Sequence, residues 1–108
     1  MNGPKIKALG YIGCSVTDPE AWDRLLGPIF GMERRADSPQ DRTWYRMDSG
    51  HHRLTLHEAK TDGLEYVGWE LGSLEELRAL AQCLKDQGEK VSRADQALCD
   101  ARYVMELY

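Results

Sequence analysis

The chain carries one five-residue pattern twice, and that constrains its fold more than any other feature. Leu9-Gly10-Tyr11-Ile12-Gly13 returns as Leu64-Glu65-Tyr66-Val67-Gly68, 55 residues later. Each copy reads as a strand running into a helix. Leu25 and Leu80 keep the same offset inside those helices. Arg35-Ala36-Asp37 and Arg93-Ala94-Asp95 follow, about where each unit leaves its helix. Self-similarity at such a period marks one supersecondary unit used twice.

A length of 108 residues fits a single small domain with a modest core. The formal net charge is −4 and no Lys/Arg stripe occurs, so nucleic acid is not the expected partner. No apolar run approaches the roughly 18 residues of a membrane span, and the N-terminus has no signal-peptide core. The expectation is therefore no membrane and a cytoplasmic setting. Cys14, Cys83 and Cys99 are an odd, widely spaced set without a CxxC pair. They read as reduced thiols rather than a disulfide framework or a zinc site.

Residues 1–7 read as a short lead-in and 9–16 as a buried strand. Asp18-Pro19 is a helix start, with Asp as N-cap and Pro at the first helical position. Trp22, Leu25, Leu26, Ile29 and Phe30 share one helical face, Gly27-Pro28 loosens it, and Gly31 ends it. Residues 34–42 read as loop. Strands are expected at 43–47 and 53–57, joined by a tight turn over 48–51. In the second of these, Leu54 and Leu56 point one way and Arg53, Thr55 and His57 the other. Residues 59–63 connect to a strand at 64–71. Ser73 to Glu76 is a capping box; Leu74, Leu77, Leu80, Ala81 and Leu84 form the apolar face, and Gly88 is the C-cap. A short strand at 90–93 and a further strand at 103–108 complete the reading. The second unit then ends one strand early.

The arrangement resembles the vicinal oxygen chelate superfamily, whose module is βαβββ. The run from Leu9 to Asp18, with Ala21-Trp22, Gly31-Met32, Tyr45-Arg-Met-Asp48 and Tyr66 to Leu71, is similar to the opening of type I extradiol ring-cleaving dioxygenases. These are enzymes of the 2,3-dihydroxybiphenyl 1,2-dioxygenase kind. The resemblance implies an α+β fold of two βαβββ modules, at about 6–60 and 63–108, the second truncated. Together they would form a curved, incompletely closed barrel with helices outside.

Such enzymes carry four modules in two domains, and only the C-terminal pair binds Fe(II), through two histidines and a glutamate. The resemblance places this chain as the N-terminal pair, a scaffold. Its partners would be the C-terminal catalytic domain of the same polypeptide and further copies in a homo-oligomer. The positions that correspond to the two ligand histidines hold Tyr11 and Tyr66. The position for the glutamate would fall beyond Tyr108, and Glu106 comes too early. The expected site list is therefore empty: no catalytic, cofactor-binding or metal-binding residue on this chain, and Fe(II) only in the longer enzyme. A stand-alone small-ligand-binding module and a small metalloenzyme of the same superfamily are the alternatives.

The remaining chemistry-bearing residues read as structural. His51 and His57, taken as one regular strand, would lie roughly 20 Å apart, with His52 facing the other way. All three read as turn and surface histidines. Glu33 to Asp37 and Glu75-Glu76 read as solvated charge, and Ser15, Ser38 and Cys14 lack a histidine partner. Trp22, Trp44, Trp69 and the tyrosines read as core and interface aromatics. The interior is expected to hold Leu9, Tyr11, Leu54, Leu56, Leu64, Trp69, Leu77, Leu80 and Leu84, with Trp22 and Leu26 covering the outer sheet face. An unpaired strand at 103–108, charged only at Glu106, is expected to template self-association.

Overall fold

The computed structural model describes residues 5–108; residues 1–4 of the expected lead-in lie outside the described residues. The elements in chain order are β1 (Ile6–Val16), α1 (Pro19–Leu26), β2 (Glu33–Arg34), β3 (Arg42–Arg46), β4 (Leu54–Glu58), β5 (Gly63–Leu71), α2 (Leu74–Asp86) and α3 (Gln96–Arg102). The strands form one open mixed sheet in the order β2-β3-β4-β1-β5. Two compact units divide the described residues, 9–69 in one and 5–8 with 70–108 in the other.

In residues 9–69, Asp18 accepts from the Ala21 N–H at 3.2 Å and Pro19 opens α1, as the sequence implied. The helix stops at Leu26, before the expected apolar face is complete. Pro28 brings no N–H to continue the ladder. Gly31, at φ 71°, reverses the chain so that the Met32 N–H reaches the Leu26 carbonyl at 2.9 Å. Ile29 and Phe30 consequently stand exposed, as does Trp22.

β1 pairs with β4 in parallel, Ile12 opposite Leu54 and Val16 opposite Glu58. β4 pairs antiparallel with β3, Tyr45 opposite Leu54. Their connection is longer than the expected tight turn. It is held by Asp48, which accepts from the Gly50 N–H and from Arg53 Nε, each at 3.0 Å. β2, which the sequence reading left inside a loop, pairs Glu33 with Arg46 and Arg34 with Tyr45. The core on the helix side consists of Val16, Leu26, Tyr45 and Leu56, with Cys14, Met32 and Leu54 packed against it. The alternation expected for β4 is what puts Leu54 and Leu56 there.

Several expected interior residues are not buried. Leu9 and Leu84 are exposed, and Leu64 and Trp69, on the outermost strand β5, are 64% and 56% exposed. Leu54, Leu77 and Leu80 are half-buried. A strand at the edge of a sheet has no neighbour on one side, so alternation alone does not bury its apolar residues.

In residues 70–108, Ser73 caps α2 by accepting from the Glu76 N–H at 3.1 Å. The helix ends in a Schellman closure. The Glu89 N–H bonds the Leu84 carbonyl and the Gly88 N–H the Lys85 carbonyl, both at 3.0 Å, with Gly88 at φ 88°. Ala81 is the buried residue of that helix. The expected strands at 90–93 and 103–108 do not form. The chain instead makes α3, with Asp95 as N-cap accepting from the Leu98 N–H at 2.9 Å. Tyr103 leaves it in the left-handed region, φ 55°, which is incompatible with starting a strand there. Residues 103–108 run back past the 90–95 segment, where the Ala94 N–H bonds the Leu107 carbonyl at 2.8 Å.

That return is fastened by Glu106, which is buried. Arg78 donates to both its oxygens at 3.0 Å. Arg93 Nη2 lies 3.0 Å away, and the Tyr108 hydroxyl donates at 3.0 Å. Glu106 thus anchors the C-terminal segment to its own chain, contrary to an exposed edge strand carrying a lone charge.

Candidate functional site

The polar face of the sheet is where the sequence placed its most telling residues. Strand alternation puts Tyr11, Gly13 and Ser15 on this side of β1, away from the Cys14–Val16 core side. Pairing aligns Gly13 with Thr55 and Thr55 with Trp44, one row across three strands. The next row places Ser15 beside His57, and His57 beside Arg42.

Tyr11 and Tyr66 meet on this face, ring centroids 6.0 Å apart and edge to face at 72°. Each ring lies against the other motif's glycine. A Cβ on Gly13 would fall inside the Tyr66 ring, and one on Gly68 inside the Tyr11 ring. The two glycines are therefore spacing requirements. The Tyr66 hydroxyl is 2.8 Å from His57 Nε2, and the Ser15 hydroxyl donates to Glu65. Buried Thr55 Oγ1 has no hydrogen-bond partner among the described residues.

At the end of the β3–β4 connection, His52 is buried and not a surface residue as expected. It stacks on Trp44, centroids 5.3 Å apart and 12° between planes. Its Nδ1 is 2.8 Å from His51 Nδ1, so one ring donates and the other accepts. His51 Nε2 also lies 3.8 Å from Asp37. Burial first, then the Arg35 charge, lower the His51 pKa, against the opposing pull of Asp37. Arg35 in turn hydrogen-bonds Asp37 at 2.8 Å and holds its carboxyl below the usual range. The 51–57 segment is not one regular strand, because β4 starts only at Leu54. The strand-spacing estimate thus fails for His51 and His52; adjacent residues in irregular backbone can turn both rings together.

This face is poorly suited to metal or nucleophilic chemistry. Among the described residues no three His, Cys, Asp or Glu side chains are grouped to hold a metal ion. On the opposite, core side of β1, burial raises the Cys14 thiol pKa, which disfavours the reactive thiolate there. Tyr11 and Tyr66, at the positions where the resemblance looks for histidines, are engaged by ring packing and by His57. The donor set does not fit a resident Fe(II).

Residues 9–58 match the family model described as dihydroxybiphenyl dioxygenase BphC D1. A 1,2-dihydroxynaphthalene dioxygenase of Pseudomonas putida is 38% identical over 99 residues, covering 92% of this chain and 33% of its own length. A biphenyl-2,3-diol 1,2-dioxygenase of Sphingomonas paucimobilis is 34% identical over 102 residues, covering 94% of this chain and 34% of its own. A crystal structure of a catechol 2,3-dioxygenase superposes with TM-score 0.91 at 38% identity, covering 95% of this chain and 34% of that one. The chain thus spans about a third of the length of these relatives.

Proposed function

We propose that this chain, whose residues 9–58 match the BphC D1 family model, belongs to the extradiol dioxygenase family and is the N-terminal, non-metal-binding domain of a ring-cleaving catechol dioxygenase. The observation that carries this reading is the alignment of nearly the whole chain with only a third of each relative, at 38% identity in the first. The relatives named for dihydroxynaphthalene and biphenyl-2,3-diol suggest a fused or aryl-substituted catechol as substrate. Aromatic compound catabolism follows as the setting, and a cytoplasmic one suits three free cysteines.

Fe(II) would be held outside this chain, where it would bind the diol and activate dioxygen. This domain would then contribute scaffold and no step of the chemistry. Two related modules, the first βαβββ and the second truncated to β5 with its following helices, remain the finer reading of the fold. The reciprocal packing of Tyr11 on Gly68 and Tyr66 on Gly13 supports it, since equivalent residues of the two motifs exchange equivalent contacts. Homo-oligomer formation is supported by the exposed apolar residues of the outermost strand, Leu64 and Trp69.

The test uses the 108-residue chain and the whole polypeptide that carries it. The isolated chain should bind no stoichiometric iron and should not cleave 2,3-dihydroxybiphenyl. The whole polypeptide should do both, and Tyr66→Phe should leave its iron content unchanged. Loss of iron in that variant, or tight iron binding with ring cleavage in the isolated chain, would overturn the assignment.

A further inference from the structure

A groove runs between α1 and strands β2 and β3, on the helix side of the sheet and away from the Tyr11–Tyr66 face. It encloses about 370 Å³, in the range of small-molecule pockets. Glu20, Asp23 and Arg24 line it from α1; Arg34, Thr43 and Tyr45 line it from the strands.

The charges in the groove are unequally engaged. Asp23 already accepts the Tyr45 hydroxyl at 2.8 Å and has Arg34 at 3.9 Å. Tyr45 is held protonated for that bond: burial, and then the bond to Asp23, push its pKa up to about 12. Glu20 sits in the first turn of α1, where the helix dipole favours an anion. Arg24 makes no hydrogen bond or ion pair among the described residues. Among the described residues Arg34 has only its long contact to Asp23. The Thr43 hydroxyl is likewise uncommitted. The donors with spare capacity are therefore two guanidinium groups and a hydroxyl, facing one cavity. Guanidinium forks match planar carboxylates, which they bind with two parallel hydrogen bonds.

We infer that this groove is a binding site for a small organic carboxylate, held between Arg24 and Arg34 with its body against Pro19 and over the buried Tyr45 that floors it. The inference stands on the groove alone and does not depend on the dioxygenase reading. It also assigns Glu20 a sign: its charge opposes the ligand, so neutralising it should tighten binding.

The test is an amide-shift NMR titration of the 108-residue chain with sodium benzoate, at constant ionic strength. Benzyl alcohol serves as the uncharged counterpart. Benzoate should give saturable shifts at Arg34, Thr43 and Tyr45, and benzyl alcohol none. Arg34→Gln and Arg24→Gln should each weaken binding about tenfold, the loss of one charge-assisted bond. Arg34→Lys should restore part of it, and Glu20→Gln should tighten it by about threefold. Equal response to benzyl alcohol, no saturation, or arginine variants that keep both a native spectrum and full affinity would each overturn the site.

Discussion

The ring of Tyr66 lies against Gly13 so closely that no side chain can stand at that position. Tyr11 does the same to Gly68. Four residues of the repeated motif therefore depend on one another across two neighbouring strands. Gly13→Ala should destabilise the chain by about 1–3 kcal/mol, the usual cost of overpacking. Combining it with Tyr66→Ala should recover part of that loss, because the obstructing ring is gone. Urea unfolding of both single variants and the double variant measures the coupling. Strict additivity would show that the two residues do not share space.

The His51–His52 pair predicts acid sensitivity near neutrality. Its Nδ1–Nδ1 bond needs one unprotonated ring nitrogen, so protonating both rings breaks it. The folded His51 pKa lies below its ordinary 6.5. Between that folded value and 6.5 the unfolded chain binds the extra proton. Stability is then fully present above about pH 6.5 and falls as pH drops below it. Trp44 stacks on His52 and reports the change by fluorescence. His51→Gln should flatten the profile between pH 7.5 and 5.5. An unchanged slope in that variant would remove the pair as its source.

At the other end of the chain the titrating group is Glu106. Hydrogen bonds from Arg78, with help from Tyr108 and Arg93, lower its pKa to about 2 against an ordinary 4.5. Its contribution is therefore complete above about pH 4.5 and is lost as pH falls towards 2. The Ala94 amide, bonded to the Leu107 carbonyl, should lose exchange protection over that window. Glu106→Gln should show the same loss already at neutral pH, and retained protection in that variant would contradict the anchoring role.

Thr55 offers a test of opposite sign. Its hydroxyl is buried with no partner among the described residues, so folding leaves its desolvation uncompensated. Thr55→Val keeps the branched shape suited to a strand. The variant should be neutral or more stable, seen as an unchanged or raised urea midpoint. A loss above about 1 kcal/mol would mean that the hydroxyl is satisfied after all.

Much of this architecture is legible in the residues because the signals are local. Asp18-Pro19, Ser73 with Glu76, and Gly88 each work through bonds to backbone a few positions away, and each sits where the pattern put it. The alternation of Leu54, Thr55 and Leu56 likewise needs only one strand. The misreadings are of another kind. Tyr103 to Tyr108 has strand composition, yet a left-handed Tyr103 and the distant Arg78 and Arg93 set its course. Asp95 is a legible N-cap for α3, but in the sequence Arg93-Ala94-Asp95 stands out only as a repeat landmark. The meeting of His51 with His52, and of Tyr45 with Asp23, depends on loop backbone and on strand order. Neither quantity is encoded in spacing.

The outer edge of β5 carries the last prediction. β5 is nine residues long and terminal in the sheet order, so among the described residues β1 is its neighbour on one side only. Leu64 and Trp69 on it are exposed. A long edge with exposed apolar residues is a template for pairing with another chain. The C-terminal segment is not the template first expected, because Glu106 and Leu107 tie it to its own chain. Self-association of the isolated chain should therefore run through β5. Sedimentation across a concentration series should detect it. Trp69→Lys should shift the protein towards monomer, since a charge on an edge strand opposes pairing. Met105→Lys, on an exposed residue of the C-terminal segment, should leave association unchanged. The reverse ranking of these two variants would move the contact to the C-terminus, and a strict monomer at high concentration would remove it altogether.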